Sequence, residues 1–131
     1  MKQVAKLVIA DGRGRYLLMW RSEHPVFGND PDLPGGTVEE GEPPLRAMIR
    51  EVFEEAGIVI SEASVREVYA GDRYSVHKTR YLLYIAELQN TPEITMSWEH
   101  SSYEWLDRDT FLEKAREAVD TYMHMVYDVL K

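Results

Sequence analysis

Between residues 22 and 36 the chain carries Pro25, Gly28, Pro31, Pro34, Gly35 and Gly36, a density that neither a helix nor a central strand accommodates. That segment must be a long loop, and long loops in compact domains are usually functional or mobile. It divides the sequence into two regimes. Before it, residues 4–10 and 15–21 are β-rich runs joined by Asp11-Gly12-Arg13-Gly14, and a DG pair between apolar runs is a strong hairpin signal. After it, Pro43 and Pro44 suit the first turn of a helix, where a missing N–H costs nothing. Leu45, Met48, Ile49, Val52, Phe53 and Ala56 then recur at helical spacing, and Gly57 stands where a left-handed residue ends a helix. The pattern predicts a helix over residues 43–56.

Further on, residues 65–69 and 81–88 read as strands, the second with consecutive apolar side chains that imply burial on both faces. Residues 101–106 form a shorter candidate strand. The tail, residues 107–131, reads as one helix with a broad apolar stripe from Phe111 to Leu130, capped by Asp107 or Asp109. Strands interleaved with helices that need opposite surfaces to cover imply an α/β (α+β) fold, with a mixed β-sheet packed between helices. No repeat or linker interrupts the chain, so residues 1–131 are expected to form a single domain.

Composition removes several classes of function. With no cysteine, a disulfide framework, a thiolate zinc site and a cysteine nucleophile are excluded together. The 23 acidic against 15 basic side chains repel a phosphate backbone and an anionic membrane, so neither duplex nucleic acid nor a membrane is an expected partner. Arg73, Lys78 and Arg80 form only a modest basic cluster. No apolar run is long enough to span a bilayer and no secretory signal is recognisable, so a cytoplasmic protein is expected.

The acidity is concentrated. Residues 36–58 hold six glutamates against two arginines, half of the formal charge of −8. On the predicted helix, Glu51 neighbours both Glu54 and Glu55, and Glu55 lies near the C-terminal end, where the macrodipole disfavours anions. Like charges so placed call for a compensating cation. Arg50 can pair with Glu54, yet one guanidinium cannot neutralise three carboxylates, whereas a hard divalent cation with all-oxygen ligation can. The bland alternative is a solvated acidic helix face.

The spacing around this cluster is specific: Gly36, five residues, Glu42, seven residues, then Arg50-Glu51-Val52-Phe53-Glu54-Glu55-Ala56-Gly57-Ile58. This segment resembles the Nudix box of the Nudix hydrolases, and the order of hairpin, loop, Pro-Gly-Gly, helix, strands and terminal helix is similar to a small Nudix domain of the MutT type. The resemblance implies a Nudix-type α/β/α sandwich and Mg²⁺, with Mn²⁺ as a substitute, held by Glu51, Glu54, Glu55 and the Gly36 carbonyl. It implies hydrolysis of a pyrophosphate bond in a nucleoside diphosphate linked to another moiety. A nucleoside triphosphate, modified or not, cleaved to monophosphate and pyrophosphate is the leading expectation. Tyr74 raises a dinucleoside polyphosphate as the alternative, and a nucleotide-binding module without turnover is the alternative of another class.

Individual roles follow from the same resemblance. Glu99, six residues before Trp105, matches a loop glutamate that binds metal and acts as general base, with Glu51 and Glu104 as competitors. Arg50 is assigned to orienting the glutamates, Glu42 and Gly57 to structure, and Glu39 and Glu40 to solvated loop charge. Arg21, at the end of the second strand, is a candidate phosphate contact, and Phe27 a candidate for stacking on a base. Trp98 and Trp105 are read as packing residues, and His100 as an ordinary surface histidine able to assist. Base identity and oligomeric state are not encoded in any recognisable pattern.

Overall fold

The run Val-Ala-Lys-Leu-Val-Ile-Ala lies at the centre of the molecule because its apolar side chains bury on both faces. In the computed structural model, which describes residues 1–131, this run is strand β1 (Gln3–Ala10), followed by β2 (Tyr16–Arg21), β3 (Pro31–Asp32), β4 (Gly35–Thr37), helix α1 (Pro44–Ala56), β5 (Val65–Gly71), β6 (Arg80–Glu87), β7 (His100–Leu106), α2 (Arg108–Glu117) and α3 (Thr121–Leu130). One mixed sheet runs β3-β2-β1-β6-β5, with β4 also on β1 and β7 also on β2. Strand β6 pairs with β1 in parallel over its whole length, and its buried run Tyr81–Ala86 agrees with the expected two-faced burial. Ala5, Leu7 and Ile9 pack with Leu82, Tyr84 and α1 on one face. Val8, Leu83 and Ile85 pack with α2 and α3 on the other. The sandwich of a mixed sheet between helices is the expected architecture.

The opening hairpin forms as predicted but pairs only next to its turn, where Ala10 faces Tyr16. Beyond that point β2 leaves β1, and β4 takes its place opposite Val4, Ala5 and Lys6. The Pro-Gly-Gly sequence makes this possible. Pro34 offers its carbonyl to the Leu7 N–H, and Gly35 adopts φ of 134° with its α-carbon so close to β1 that a Cβ would stand 2.4 Å from the Ala5 carbonyl oxygen. Only glycine permits that approach. The segment expected to be loop throughout thus contains two short strands, and the divergence of β1 and β2 opens a gap in the sheet.

Helix α1 matches its prediction, with Pro43 as N-cap, Pro44 in the first turn and Gly57 at φ 72° donating its N–H to the Phe53 carbonyl. The tail does not. Instead of one helix over residues 107–131 there are two, capped by Asp107, which accepts from the Thr110 N–H, and by Asp120, which accepts from the Tyr122 N–H. The break has a tertiary cause: the Asp30 carboxylate accepts the backbone N–H groups of Val119 and Asp120, drawing the chain out of the helical path. Trp105 packs as expected, but Trp98 is 86% exposed, because the turn that carries it projects its side chain away from both cores.

Candidate active site

A cavity of about 650 Å³ fills the gap between β1 and the departing β2. Gly36, Glu51, Glu55, Glu99, Arg21 and Phe27 all line it, so the fold brings together six of the residues singled out in the sequence. The β4 strand places Gly36 against α1 so tightly that a Cβ there would lie 3.1 Å from the Glu51 carboxylate. The Gly36 backbone and the Glu51 carboxylate are therefore neighbours across the cavity wall.

Glu55 faces inward from α1 and is 3% exposed. Burial, then a hydrogen bond shared with Glu51, push its carboxyl up to about 10 against the pull of the Lys6 ammonium, with smaller help from the negative charges of Asp32 and Glu99. At neutral pH it is a protonated acid held in the wall. Glu51 is anchored from outside by Arg50, whose Nη1 lies 3.1 Å from its carboxylate. The same guanidinium donates to both Glu42 oxygens at 2.9 and 3.0 Å and reaches Glu54 at 3.2 Å. These bonds, led by Glu42, hold Arg50 well above its ordinary range. Arg50 thus ties Glu42, Glu51 and Glu54 together.

Glu54 is half-exposed, points to Arg50 and does not line the cavity. No three histidine, aspartate or glutamate side chains already converge as a metal cage. The donor set is nevertheless of the right chemistry for a hard cation: two or three carboxylates and a backbone carbonyl, with no sulfur among them. Glu55 adds a buried carboxyl whose ionised form has no partner of its own. The site fits a divalent cation by ligand type, with Glu51 and Glu55 exchanging their shared proton and Arg50 contacts for it.

Glu99 stands exposed on the cavity wall, on a turn whose backbone is fixed at both ends. The Ser97 N–H donates to the Glu55 carbonyl, and the Ser22 N–H to the Glu99 carbonyl. Glu104, the sequence competitor, is remote: it accepts from the Trp20 indole at 2.9 Å and does not line the cavity.

Two proposed substrate contacts have partners within the protein. Tyr74 donates to Asp128 on α3 at 2.8 Å and packs edge-on against Tyr69, so it is not brought to the cavity. Arg21 lines the cavity, but its guanidinium is bound by Asp120 at 2.8 Å and Asp32 at 3.3 Å, which satisfy the charge that a phosphate was expected to satisfy. Phe27 lies on the cavity wall with the Arg21 guanidinium 4.8 Å from its ring centroid and the His24 ring at 4.9 Å.

Sequence reasoning missed the charged floor beneath the cavity. Lys6 and Asp32 form a buried ion pair between β1 and β3, joined by Arg21, and His100 donates from Nε2 to Asp32 at 3.0 Å. Burial alone would raise the Asp32 carboxyl, but Lys6, His100 and Arg21 together hold it far below the usual range. His100, expected at the surface, has a side chain only 2% exposed. One signal was available: a lysine inside an otherwise apolar strand requires a buried anion.

Comparison with known proteins identifies relatives of the chain. The NUDIX domain profile matches residues 2–125. A Haemophilus influenzae 8-oxo-dGTP diphosphatase is 40% identical over 65 residues, which is 50% of this chain and 48% of that protein. An asymmetrical bis(5'-nucleosyl)-tetraphosphatase of Sus scrofa is 33% identical over 87 residues, covering 63% of this chain and 59% of its own. These matches span only about half of the first relative and under two thirds of the second. The crystal structure of a MutT protein from Methanosarcina mazei superposes with a TM-score of 0.70 at 24% identity, over 96% of this chain and 89% of that one.

Proposed function

We propose, from the premise that the chain belongs to the NUDIX domain family, that it is a divalent-cation-dependent hydrolase of the pyrophosphate bond in a nucleoside diphosphate linked to another moiety. The observation that carries this reading is the convergence of Gly36, Glu51, Glu55 and Glu99 on one cavity. Mg²⁺, or Mn²⁺ in its place, suits an all-oxygen donor set, and Gly36, Glu51, Glu55 and Glu99 would hold it. Once bound, such a cation neutralises phosphate charge and stabilises the charge that builds on the departing oxygen. Glu54 joins them only by leaving Arg50.

The chain's own groups supply the rest. Glu99 is exposed on the wall and carries a carboxylate able to take the proton of an attacking water, while Glu104 is too remote to do so. Arg50 keeps Glu51 oriented from behind. Val26 and Val76 are large, mostly exposed apolar side chains that both line the cavity, and such side chains at its mouth suit a nucleobase better than bulk water does. No helix is long and apolar enough to cross a membrane.

A nucleoside triphosphate, modified or not, is the leading substrate, in line with a relative named for 8-oxo-dGTP. The named tetraphosphatase relative supports a dinucleoside polyphosphate as the second reading, although Tyr74 no longer does. The test is product analysis by ion exchange after incubation with Mg²⁺ and a panel of nucleoside triphosphates and dinucleoside polyphosphates. Monophosphate with pyrophosphate is the expected product pair. Tight nucleotide binding without turnover of any member would replace the hydrolase with a binding module.

A further inference from the structure

His100 has two ring nitrogens in two different situations. Nε2 meets Asp32 at 3.0 Å, and Asp32 is clamped on its other side by Lys6 and Arg21. Because that carboxylate can only accept, Nε2 carries the hydrogen, and the tautomer is fixed by the network. Nδ1 is buried without a hydrogen-bond partner, 3.9 Å from the Glu55 carboxyl oxygen Oε1. A buried polar atom without a partner costs stability, so folding alone does not account for an imidazole in that place.

The backbone repeats the connection. The Ser97 N–H donates to the Glu55 carbonyl, and the His100 N–H reaches back to the Ser97 carbonyl. Glu99 lies between these two anchors. Helix α1 and the turn that carries Glu99 are thus joined both through the chain and through the imidazole.

We infer that His100 is a positioning residue, clamped by Asp32 through Nε2 so that its Nδ1 sets the orientation of the Glu55 carboxyl for a divalent cation. This rests on the cation-dependent reading of the site. A carboxylate, then an imidazole, then a ligand carboxyl is an arrangement in which the outer members tune the inner one, and loss of such a partner typically weakens metal affinity about 10- to 100-fold. With its hydrogen on Nε2, the ring turns the lone pair of Nδ1 toward the Glu55 carboxyl at 3.9 Å. In the absence of His100 the Glu55 carboxyl has only Glu51 to orient it.

Two isosteric substitutions separate this role from a purely architectural one. The His100→Gln amide nitrogen reproduces Nε2 and keeps the Asp32 bond but presents nothing to Glu55. The His100→Asn amide reproduces Nδ1 and forfeits Asp32. Mn²⁺ is titrated into chelator-stripped protein and free ion is read by electron paramagnetic resonance, alongside the thermal midpoint and the separation of kcat from KM. His100→Gln is expected to keep its midpoint, to weaken Mn²⁺ affinity about 10-fold or more, and to lower kcat with little change in KM. His100→Asn is expected to melt earlier yet bind Mn²⁺ within about threefold of wild type. Wild-type affinity in His100→Gln overturns the inference, as does an equal loss in folded His100→Asn. Should His100→Gln not fold, folded His100→Ala decides: Mn²⁺ affinity within about threefold of wild type overturns the inference, and a loss of about 10-fold or more supports it. Glu55→Gln is the control: if it binds Mn²⁺ as wild type does, the cation site itself is wrong, whereas weak binding there with normal binding in His100→Gln refutes only the role of His100.

Discussion

Replacing Glu55 with glutamine should make the metal-free protein more stable, and more so as pH rises. In the folded state the carboxyl is pushed up from 4.5 to about 10, mainly by burial. Between those values the unfolded chain has released the proton that the folded chain still holds. Stability is therefore full below pH 4.5 and declines through the window to 10, by about 1.4 kcal/mol per pH unit. At pH 7 the accumulated cost is about 3 kcal/mol, a large share of the 5–15 kcal/mol typical of a small domain. Glutamine has no such proton to release, and its amide can donate to Glu51 as the protonated acid does. Urea unfolding in the presence of chelator, at pH 5, 6, 7 and 8, measures both proteins. The gap in favour of Glu55→Gln should widen by about 4 kcal/mol across that range. Parallel stability curves for the two proteins would refute the assignment of a buried, proton-holding Glu55.

Other expectations follow from particular contacts. Cation binding requires ionised Glu55, so Mg²⁺ titrated calorimetrically at pH 7 in buffers of different ionisation enthalpy should show release of about one proton; a buffer-independent heat would contradict it. Arg50→Lys keeps the charge but loses the fork that joins Glu42, Glu51 and Glu54, and kcat should fall about 10-fold or more with the circular dichroism spectrum unchanged. Gly35→Ala drives a methyl into the Ala5 carbonyl at a backbone angle alanine avoids, and should cost about 2–4 kcal/mol in urea unfolding against wild type. Asp11, held at about 2 where hydrogen bonds from Arg15, Thr91 and Arg13 outweigh burial, stabilises the first turn above its unfolded value. The deficit of Asp11→Ala, about 1–3 kcal/mol at pH 7, should shrink as pH falls from 4 toward 2.

Local chemistry made some parts of this molecule legible in the sequence. Helix α1 is bracketed by Pro43-Pro44 and Gly57, and each end is specified by residues at that end. The same holds for β6, whose burial on both faces follows from an unbroken apolar run. The break between α2 and α3 is different. It depends on Asp30, distant in sequence, taking the N–H groups of Val119 and Asp120, and a helical stripe from Phe111 to Leu130 contains no sign of that partner. Strands β3 and β4 escaped notice for a related reason: they are too short for periodicity and are ordered by β2 and β1.

In the site, spacing located Gly36, Glu51, Glu55 and Glu99 because one helix, one strand and one anchored turn face the same gap. Tyr74 bonds to Asp128 and Arg21 to Asp32 and Asp120, partners distant in sequence that no local pattern announces. Lys6 and Asp32 were missed and His100 was placed at the surface, although the three form the floor. Each looks ordinary alone, and only the folded sheet brings three charged or polar strangers together. The acidity that seemed to exclude phosphate-bearing partners is in part neutral in the folded protein, since Glu55 holds its proton until a cation arrives.

The central claim is that the wall formed by Gly36, Glu51, Glu55 and Glu99 is a divalent-cation site serving hydrolysis. Crystals of the chain grown with Mn²⁺ and a nonhydrolysable nucleoside triphosphate, examined by anomalous diffraction at the manganese edge, address it directly. An anomalous peak about 2.0–2.4 Å from Glu55 and from the Gly36 carbonyl, with the phosphates against it, is the predicted result. Nucleotide bound in the cavity with no manganese peak at Glu55, in protein that still hydrolyses the natural triphosphate, would contradict it.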